Sequence, residues 1–186
     1  TLIEEKIDLV VSGINQGANL GWDMHISGTF SAALQAYFRG INAIAISVTA
    51  LIDVPYSPAA MLLSTIIPRL TKASVPSPFL ININLPKNSV QEIKGIDVTY
   101  PAEAVYQDQI NASDDTRRPY YWISRSRPNP DSPEKGTDWA AIRDNRISIT
   151  PLQTSLFTSA RTPDYDKITD HLLETLQSLP VPKYHA

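Results

Sequence analysis

Ile7-Asp8-Leu9-Val10-Val11-Ser12-Gly13-Ile14-Asn15-Gln16-Gly17-Ala18-Asn19-Leu20-Gly21 is the most informative stretch of this 186-residue chain. Ile7 to Ser12 is a short run built on Ile7, Leu9, Val10 and Val11, the composition of a strand covered by helices on both faces. The run is expected to stop at Gly13 and give way to a glycine-rich loop. From Ser27-Gly28-Thr29 the period turns helical: Phe30, Ala33, Leu34, Tyr37 and Phe38 share one stripe, Ser27 or Thr29 is placed as N-cap, and Gly40 stands at the C′ position. Ala43 to Val48 is a second buried strand. A strand, a helix and a second apolar strand make a βαβ unit, and so a parallel sheet. Ala59 to Lys72 continues the alternation as a helix, with apolar positions at Met61, Leu62, Thr65, Ile66 and Leu70 and a kink or boundary at Pro68. Phe79 to Leu85 is a third strand closed by Pro86. The fold class is α/β.

Beyond Gly95 the character changes. Of the 16 basic and 19 acidic residues, 10 and 12 lie after Pro101, and helical signals thin out. Gly95–Tyr100 and Tyr120–Ser124 have β composition, and the polar connection Asp108–Pro119 between them reads as a long hairpin loop. Pro128 to Pro133 is a loop, Arg146 to Thr150 an alternating strand, and Asp164 to Leu179 a surface helix with Ile168, Leu172, Leu173, Leu176 and Leu179 on one side. The expected division is 1–95 for the core, 96–150 for an extended β-hairpin region and 151–186 for a C-terminal segment with a helix.

Composition narrows the chemistry. With no Cys, a disulfide framework, a thiolate metal site and a thiol nucleophile are excluded for these residues. A formal charge of −3 speaks against binding a nucleic-acid polymer, which needs many Lys and Arg contacts to phosphate. No apolar run approaches the roughly 20 residues of a membrane span. The opening Thr1-Leu2-Ile3-Glu4 lacks a secretory signal pattern and reads as mid-chain sequence.

Five of the 7 glycines fall between Gly13 and Gly40, a concentration that marks tight bends or close approach to a ligand. Gly13, Gly17 and Gly21 lie at the carboxyl end of a buried strand, where open α/β sheets place ligands. Their Gly-x3-Gly-x3-Gly spacing matches neither the dinucleotide nor the Walker phosphate loop, and the segment contains no Lys. It offers two carboxamides instead. The oxygen of Asn15 or Asn19 is a neutral hard ligand for a divalent cation, and Ser27-Gly28-Thr29 opens a helix whose first-turn amides and hydroxyls favour an anion. A metal ligand facing an anion cradle points to phosphate-ester chemistry. The bland alternative stands beside it: the Asn residues tolerate turn conformations and Ser27 merely caps a helix. His25 is read as a solvated or capping group and Asp23 as a turn residue. Asp114-Asp115 and Arg117-Arg118 read as a solvated loop, Arg125 and Arg127 as an unproven phosphate contact, Asn82 and Asn84 as structural, and His171 and His185 as unpartnered.

These residues carry a resemblance. Asp8 to Gly21, Ser27-Gly28-Thr29-Phe30-Ser31-Ala32-Ala33 and Gly40 to Ser47 closely resemble the central signature of the SurE family, the stationary-phase survival 5′/3′-nucleotidases. Leu80-Ile81-Asn82-Ile83-Asn84-Leu85-Pro86 with Ile93-Lys94-Gly95-Ile96 resembles the family's strand and hairpin entry. Gly136-Thr137-Asp138-Trp139-Ala140-Ala141 with Ser148-Ile149-Thr150-Pro151-Leu152 resembles its C-terminal motif.

The resemblance implies a Rossmann-like parallel-sheet core with a protruding β-hairpin region. It implies a cytoplasmic homodimer or homotetramer that hydrolyses nucleoside 5′- or 3′-monophosphates with one divalent cation per subunit, Mg²⁺ or Mn²⁺. Asn15 matches the family's asparagine metal ligand, and Asn19, Ser27, Gly28 and Thr29 match positions lining the phosphate side of the pocket. The family's Asp-Asp-Gly segment, which carries two aspartate ligands of the cation, and the serine ligand in a following loop have no counterpart in these 186 residues, and Asp114-Asp115 lies in the wrong region and lacks the glycine. The chain is therefore expected to be the carboxyl-terminal portion of such an enzyme, inactive by itself, with its nucleophile unassigned. The alternative is an anion- or nucleotide-binding module without turnover, or an assembly subunit.

Overall fold

The structure, a computed structural model, describes residues 5–70, 78–103, 107–115, 118–126 and 133–152. The expected tail helix and both His171 and His185 lie outside the described residues. A five-stranded sheet runs in the order β1 (Leu9–Gln16), β2 (Asn42–Thr49), β3 (Leu80–Pro86), β7 (Ile147–Leu152), β4 (Ile96–Val98). β1, β2 and β3 are mutually parallel, as the βαβ reading requires, while β7 is antiparallel to β3 and parallel to β4.

Period-2 alternation sorts the strands into two faces. Ile44, Ile46 and Val48 of β2, Ile83 and Leu85 of β3 and Ile147 of β7 are buried on one face, against Leu62, Leu63, Ile66 and Leu70 of α2 (Tyr56–Leu70). Ala43, Ala45 and Leu80 lie on the other, under Phe30, Ala33 and Ala36 of α1 (Gly28–Tyr37). Small residues on this second face let α1 approach closely. Farther along the same strands the face turns polar, from Ala45 to Ser47 and from Leu80 to Asn82 and Asn84, all fully buried. That polar row lies at the carboxyl ends of the parallel strands.

Helix α1 has the expected caps. The Ser27 hydroxyl accepts the Phe30 amide at 3.2 Å, and the amides of Gly40 and Ile41 donate to the carbonyls of Tyr37 and Ala36 at 2.9 and 3.1 Å, the pairing of a Schellman end. Phe38 does not join the buried stripe: it is the C-cap, turned off the helix face and exposed. α2 starts three residues earlier than expected, at Tyr56, because Pro58 fits a first turn that has no intrahelical acceptor for its missing N–H. Pro68 lies inside the helix, and Met61, expected on the buried side, faces solvent.

Three expectations are corrected. The first strand does not end at Gly13 but runs through it to Gln16, because the ladder to β2 resumes at Asn15↔Ser47 after a register shift. Ile96–Val98 is no hairpin partner of Tyr120–Ser124: it pairs with β7 in the main sheet. The stretch Asp108–Pro119 is not a loop either, since the hairpin is β5 (Gln107–Asp115) against β6 (Arg118–Ser126), antiparallel from Gln107↔Ser126 to Asp115↔Arg118. A two-stranded ribbon buries neither face, so β5 carries no apolar alternation by which to be recognised. Its exposed Ile110 and the Tyr120, Tyr121, Trp122 and Ile123 of β6 show the same lack of burial. The short helix α3 (Asp138–Arg143), capped by Thr137, precedes β7.

Candidate functional site

The site is built where β1 leaves the sheet. Between Ser12 and Asn15 two residues of β1, Gly13 and Ile14, stand opposite the single Ile46 of β2, a β-bulge. The extra residue changes the phase of the strand. Ser12 pairs with Ala45 on the α1 face, and without the bulge Ile14 would occupy that face opposite Ser47. With it, Ile14 packs into the α2-side core and Asn15 comes up on the α1 face, opposite Ser47.

There Asn15 meets the helix. Its amide nitrogen donates to the carbonyls of Gln16 and Gly17 at 3.1 and 2.8 Å, and its Oδ1 accepts the Thr29 hydroxyl at 2.9 Å. The two carbonyls and the hydroxyl leave one assignment of N and O, with the oxygen toward the mouth of α1. Ser27 is half-buried and occupied as N-cap; Gly28 is exposed, with open space where a Cβ would stand. The first-turn amides of Gly28 and Thr29 belong to the set that no intrahelical carbonyl can reach. Of the candidates expected from the sequence, Asn15, Ser27, Gly28 and Thr29 are brought together by the fold at one mouth.

Asn19 is placed differently. It is buried, and every polar group of its backbone is tied to the sheet: its N–H donates to Asn84 Oδ1 at 2.8 Å, and its carbonyl accepts from Asn82 Nδ2 and Asn84 Nδ2 at 2.8 and 2.9 Å. Its own Nδ2 donates to Ser47 Oγ at 2.9 Å. Asn82 and Asn84, read as structural, are the anchors that hold the Gly17–Gly21 segment across β2 and β3. The bridge continues to Gly21, whose amide donates to Asp138 Oδ2 at 2.7 Å. Asp138 is fully buried; burial pushes its carboxyl above the usual carboxylate range, while the amides of Gly21, Ala102 and Trp139 pull against the shift. In the sequence the Gly136–Ala141 motif gives Asp138 no role, because an acidic residue directly after the N-cap Thr137 looks like an ordinary first-turn Asp.

The other candidates stand apart. His25 is exposed, its Nδ1 3.3 Å from the Trp22 carbonyl. Asp23 belongs to the 3-10 turn Gly21–Ile26, where it sits in the first turn. Asp114 and Asp115 end strand β5 and Arg118 opens β6, while Arg117 and Arg127 lie outside the described residues, as does the side chain of Arg125. Among the described residues no group of three or more His, Cys, Asp and Glu side chains could hold a metal ion. Asn15 alone gives one neutral oxygen, which does not fit the several hard ligands that Mg²⁺ or Mn²⁺ requires. What the described residues do fit is an anion at the α1 mouth. No helix of the described residues is long and apolar enough to cross a membrane.

The capping role of Ser27 gives a prediction. Ser27→Ala should lower stability by about 1 kcal/mol through the lost cap, measured by urea unfolding. Ser27→Asp, which keeps a capping oxygen, should restore stability while setting a negative charge at the mouth. A stability unaffected by Ser27→Ala would show that the hydroxyl does not cap the helix.

The family described as Survival protein SurE matches residues 1–108. The chain is 37% identical over 164 residues to the 5′-nucleotidase SurE of Trichormus variabilis, an alignment covering 83% of this chain and 62% of that protein. It is 38% identical over 157 residues to the 5′-nucleotidase SurE of Herpetosiphon aurantiacus, covering 81% and 60%. The chain thus spans about three-fifths of the length of the curated relatives it matches. Among solved structures, the SurE protein of Aquifex aeolicus superposes with a TM-score of 0.72 at 32% identity, over 92% of this chain and 67% of that one. The family match covers more than half of the residues, including the β1 bulge, the α1 mouth and the Asn82–Asn84 anchor, and this chain therefore belongs to the SurE family.

Proposed function

We propose that this chain is part of a divalent-metal-dependent phosphatase that hydrolyses nucleoside 5′- or 3′-monophosphates, working in the cytoplasm as a homodimer or homotetramer. One observation carries the reading: Asn15 Oδ1 and Thr29 Oγ1 meet at 2.9 Å, so the carboxyl end of β1 and the amino end of α1 share one polar mouth. The first-turn amides of Gly28 and Thr29 can donate to phosphoryl oxygens, helped by the positive end of the helix dipole, while the Thr29 hydroxyl is committed to Asn15 Oδ1. Asn19 acts by shaping the segment between Asn15 and that mouth. The name 5′-nucleotidase carried by the relatives supports a nucleotide rather than a simple sugar phosphate as substrate.

The cation part of the proposal is one Mg²⁺ or Mn²⁺ per subunit with Asn15 as one ligand. When bound, such an ion supplies charge to polarise a phosphoryl oxygen.

The test is hydrolysis of AMP, of 3′-AMP and of p-nitrophenyl phosphate by the full-length protein, with Mn²⁺ or Mg²⁺ and then with EDTA. Turnover that EDTA abolishes and Mn²⁺ restores is expected; chelator-insensitive turnover overturns the cation part. Asn15→Ala should reduce kcat/KM about 10- to 100-fold, roughly 1.4 to 2.7 kcal/mol of lost stabilisation. An unchanged metal titration in that variant would clear Asn15 of a ligand role. AMP binding without turnover under any metal would favour the binding module, and light scattering separates dimer from tetramer.

A further inference from the structure

Both legs of the β5–β6 hairpin enter the sheet at one place. On the leading leg, which follows β4, the Tyr100 amide donates to the Gly136 carbonyl at 3.1 Å and the Tyr100 carbonyl accepts the Asp138 amide at 3.0 Å, so Tyr100 is bridged to the returning leg at Thr137. At the centre of this junction is the Asp138 carboxylate. Its Oδ1 accepts the amides of Ala102 at 3.0 Å and Trp139 at 2.8 Å, and its Oδ2 accepts that of Gly21 at 2.7 Å. One fully buried carboxylate thus holds three segments that are remote in sequence: the Gly17–Gly21 bridge, the leading hairpin leg and helix α3. The approach is backbone against backbone. Gly21 has φ of +50° and a Cβ there would stand 2.3 Å from the Ala102 carbonyl oxygen, so only glycine lets the two chains meet.

Gly21 also opens the 3-10 turn that delivers Ser27. In that turn Gly21 and Met24 are buried, while Trp22, His25 and Ile26 face solvent. Release of Gly21 frees the start of the turn that leads into Ser27, Gly28 and Thr29.

We propose that Asp138 is the positioning residue of the anion mouth, tying the Gly17–Gly21 segment to the root of the β5–β6 hairpin so that displacement of the hairpin is felt at the phosphate side of the pocket. This deepens the function proposed above and rests on it. Asp138 touches no substrate; it acts through the Gly21 amide.

The decisive variant is Asp138→Asn in the full-length protein. It keeps the volume and one acceptor oxygen but sets an N–H₂ against one of the amides that the carboxylate now receives. Inorganic phosphate is the probe, as competitive inhibitor and by calorimetry, well below the unfolding midpoint. Asp138→Asn should weaken phosphate about 10-fold, raise KM by a similar factor with a smaller change in kcat, and speed hydrogen exchange of the Gly21 amide. Thr137→Ala removes the neighbouring cap of α3 without touching the carboxylate; it should lower stability yet leave phosphate affinity within 2-fold. Phosphate affinity and Gly21 exchange unchanged in Asp138→Asn would overturn the role of Asp138. So would equal weakening in Thr137→Ala, which would mark a purely structural effect. If Asp138→Asn does not fold, phosphate titration of the wild-type protein followed by amide NMR decides: Gly21 and Ala102 should shift together, and a still Ala102 overturns the coupling. A wild-type protein that neither binds phosphate nor hydrolyses AMP overturns instead the reading of the mouth itself.

Discussion

Gly13→Ala is expected to cost about 3 to 6 kcal/mol, a large share of the roughly 5 to 15 kcal/mol that holds a domain together. Two penalties add. Gly13 has φ of +134°, a region L side chains rarely enter, and its Cβ would stand 2.4 Å from the Ile46 carbonyl oxygen and 2.8 Å from Ile46 Cγ2. Ile46 is fully buried in β2, an interior strand of the sheet, with no room to yield. The chain can escape the clash only by opening the bulge. That would return Ile14 toward the α1 face and turn Asn15 away from Thr29, so any folded remainder should also lose phosphate binding. Thermal unfolding and a phosphate titration check both parts. A variant with wild-type melting temperature would mean that the bulge is not built as described.

Asn84→Leu should be the second most damaging change, at about 3 kcal/mol. The substitution keeps the volume, so cavity formation is a small part of the loss. What it removes is the acceptor of the Asn19 amide at 2.8 Å and one of two donors to the Asn19 carbonyl at 2.9 Å. The carbonyl keeps Asn82 at 2.8 Å, but the buried amide is left without its acceptor, and an unsatisfied buried donor costs about 1 to 3 kcal/mol. Asn82→Leu should cost less, since Asn84 still serves both groups of Asn19. Denaturant unfolding of the pair checks this order, and equal losses would contradict it. Asn84→Leu should also loosen the Gly17–Gly21 segment, read as faster exchange of the Asn19 and Gly21 amides.

Much of this was legible in the order of residues because it is governed by neighbours. The parallel strands announce themselves as apolar runs, and α1 by a stripe between the Ser27 cap and the Gly40 C′ position, since hydrophobic period and capping are set within a turn or two. The bulge was not legible. Nothing within Gly13-Ile14-Asn15 says that two residues will face Ile46 alone; the ladder to a strand some thirty residues away sets that count. The hairpin was misplaced for a related reason, because a ribbon that buries neither face writes no alternation into its sequence. Asp138 was passed over since its partners, Gly21 and Ala102, are distant in the chain.

By itself, then, the sequence determined the α/β class, the helix mouth at Ser27-Gly28-Thr29 and the carboxamides at the end of the first strand, all products of short-range periodicity and capping. The tertiary structure alone decided which of those carboxamides reaches the α1 mouth and which is drawn into the sheet. Pairing with β2 across the bulge lifts Asn15 to Thr29, whereas Ser47, Asn82 and Asn84 draw Asn19 into the sheet and satisfy its backbone there. Two asparagines four residues apart receive different surroundings because a buried backbone amide and carbonyl need partners, and for Asn19 those partners are supplied by strands far away in the chain.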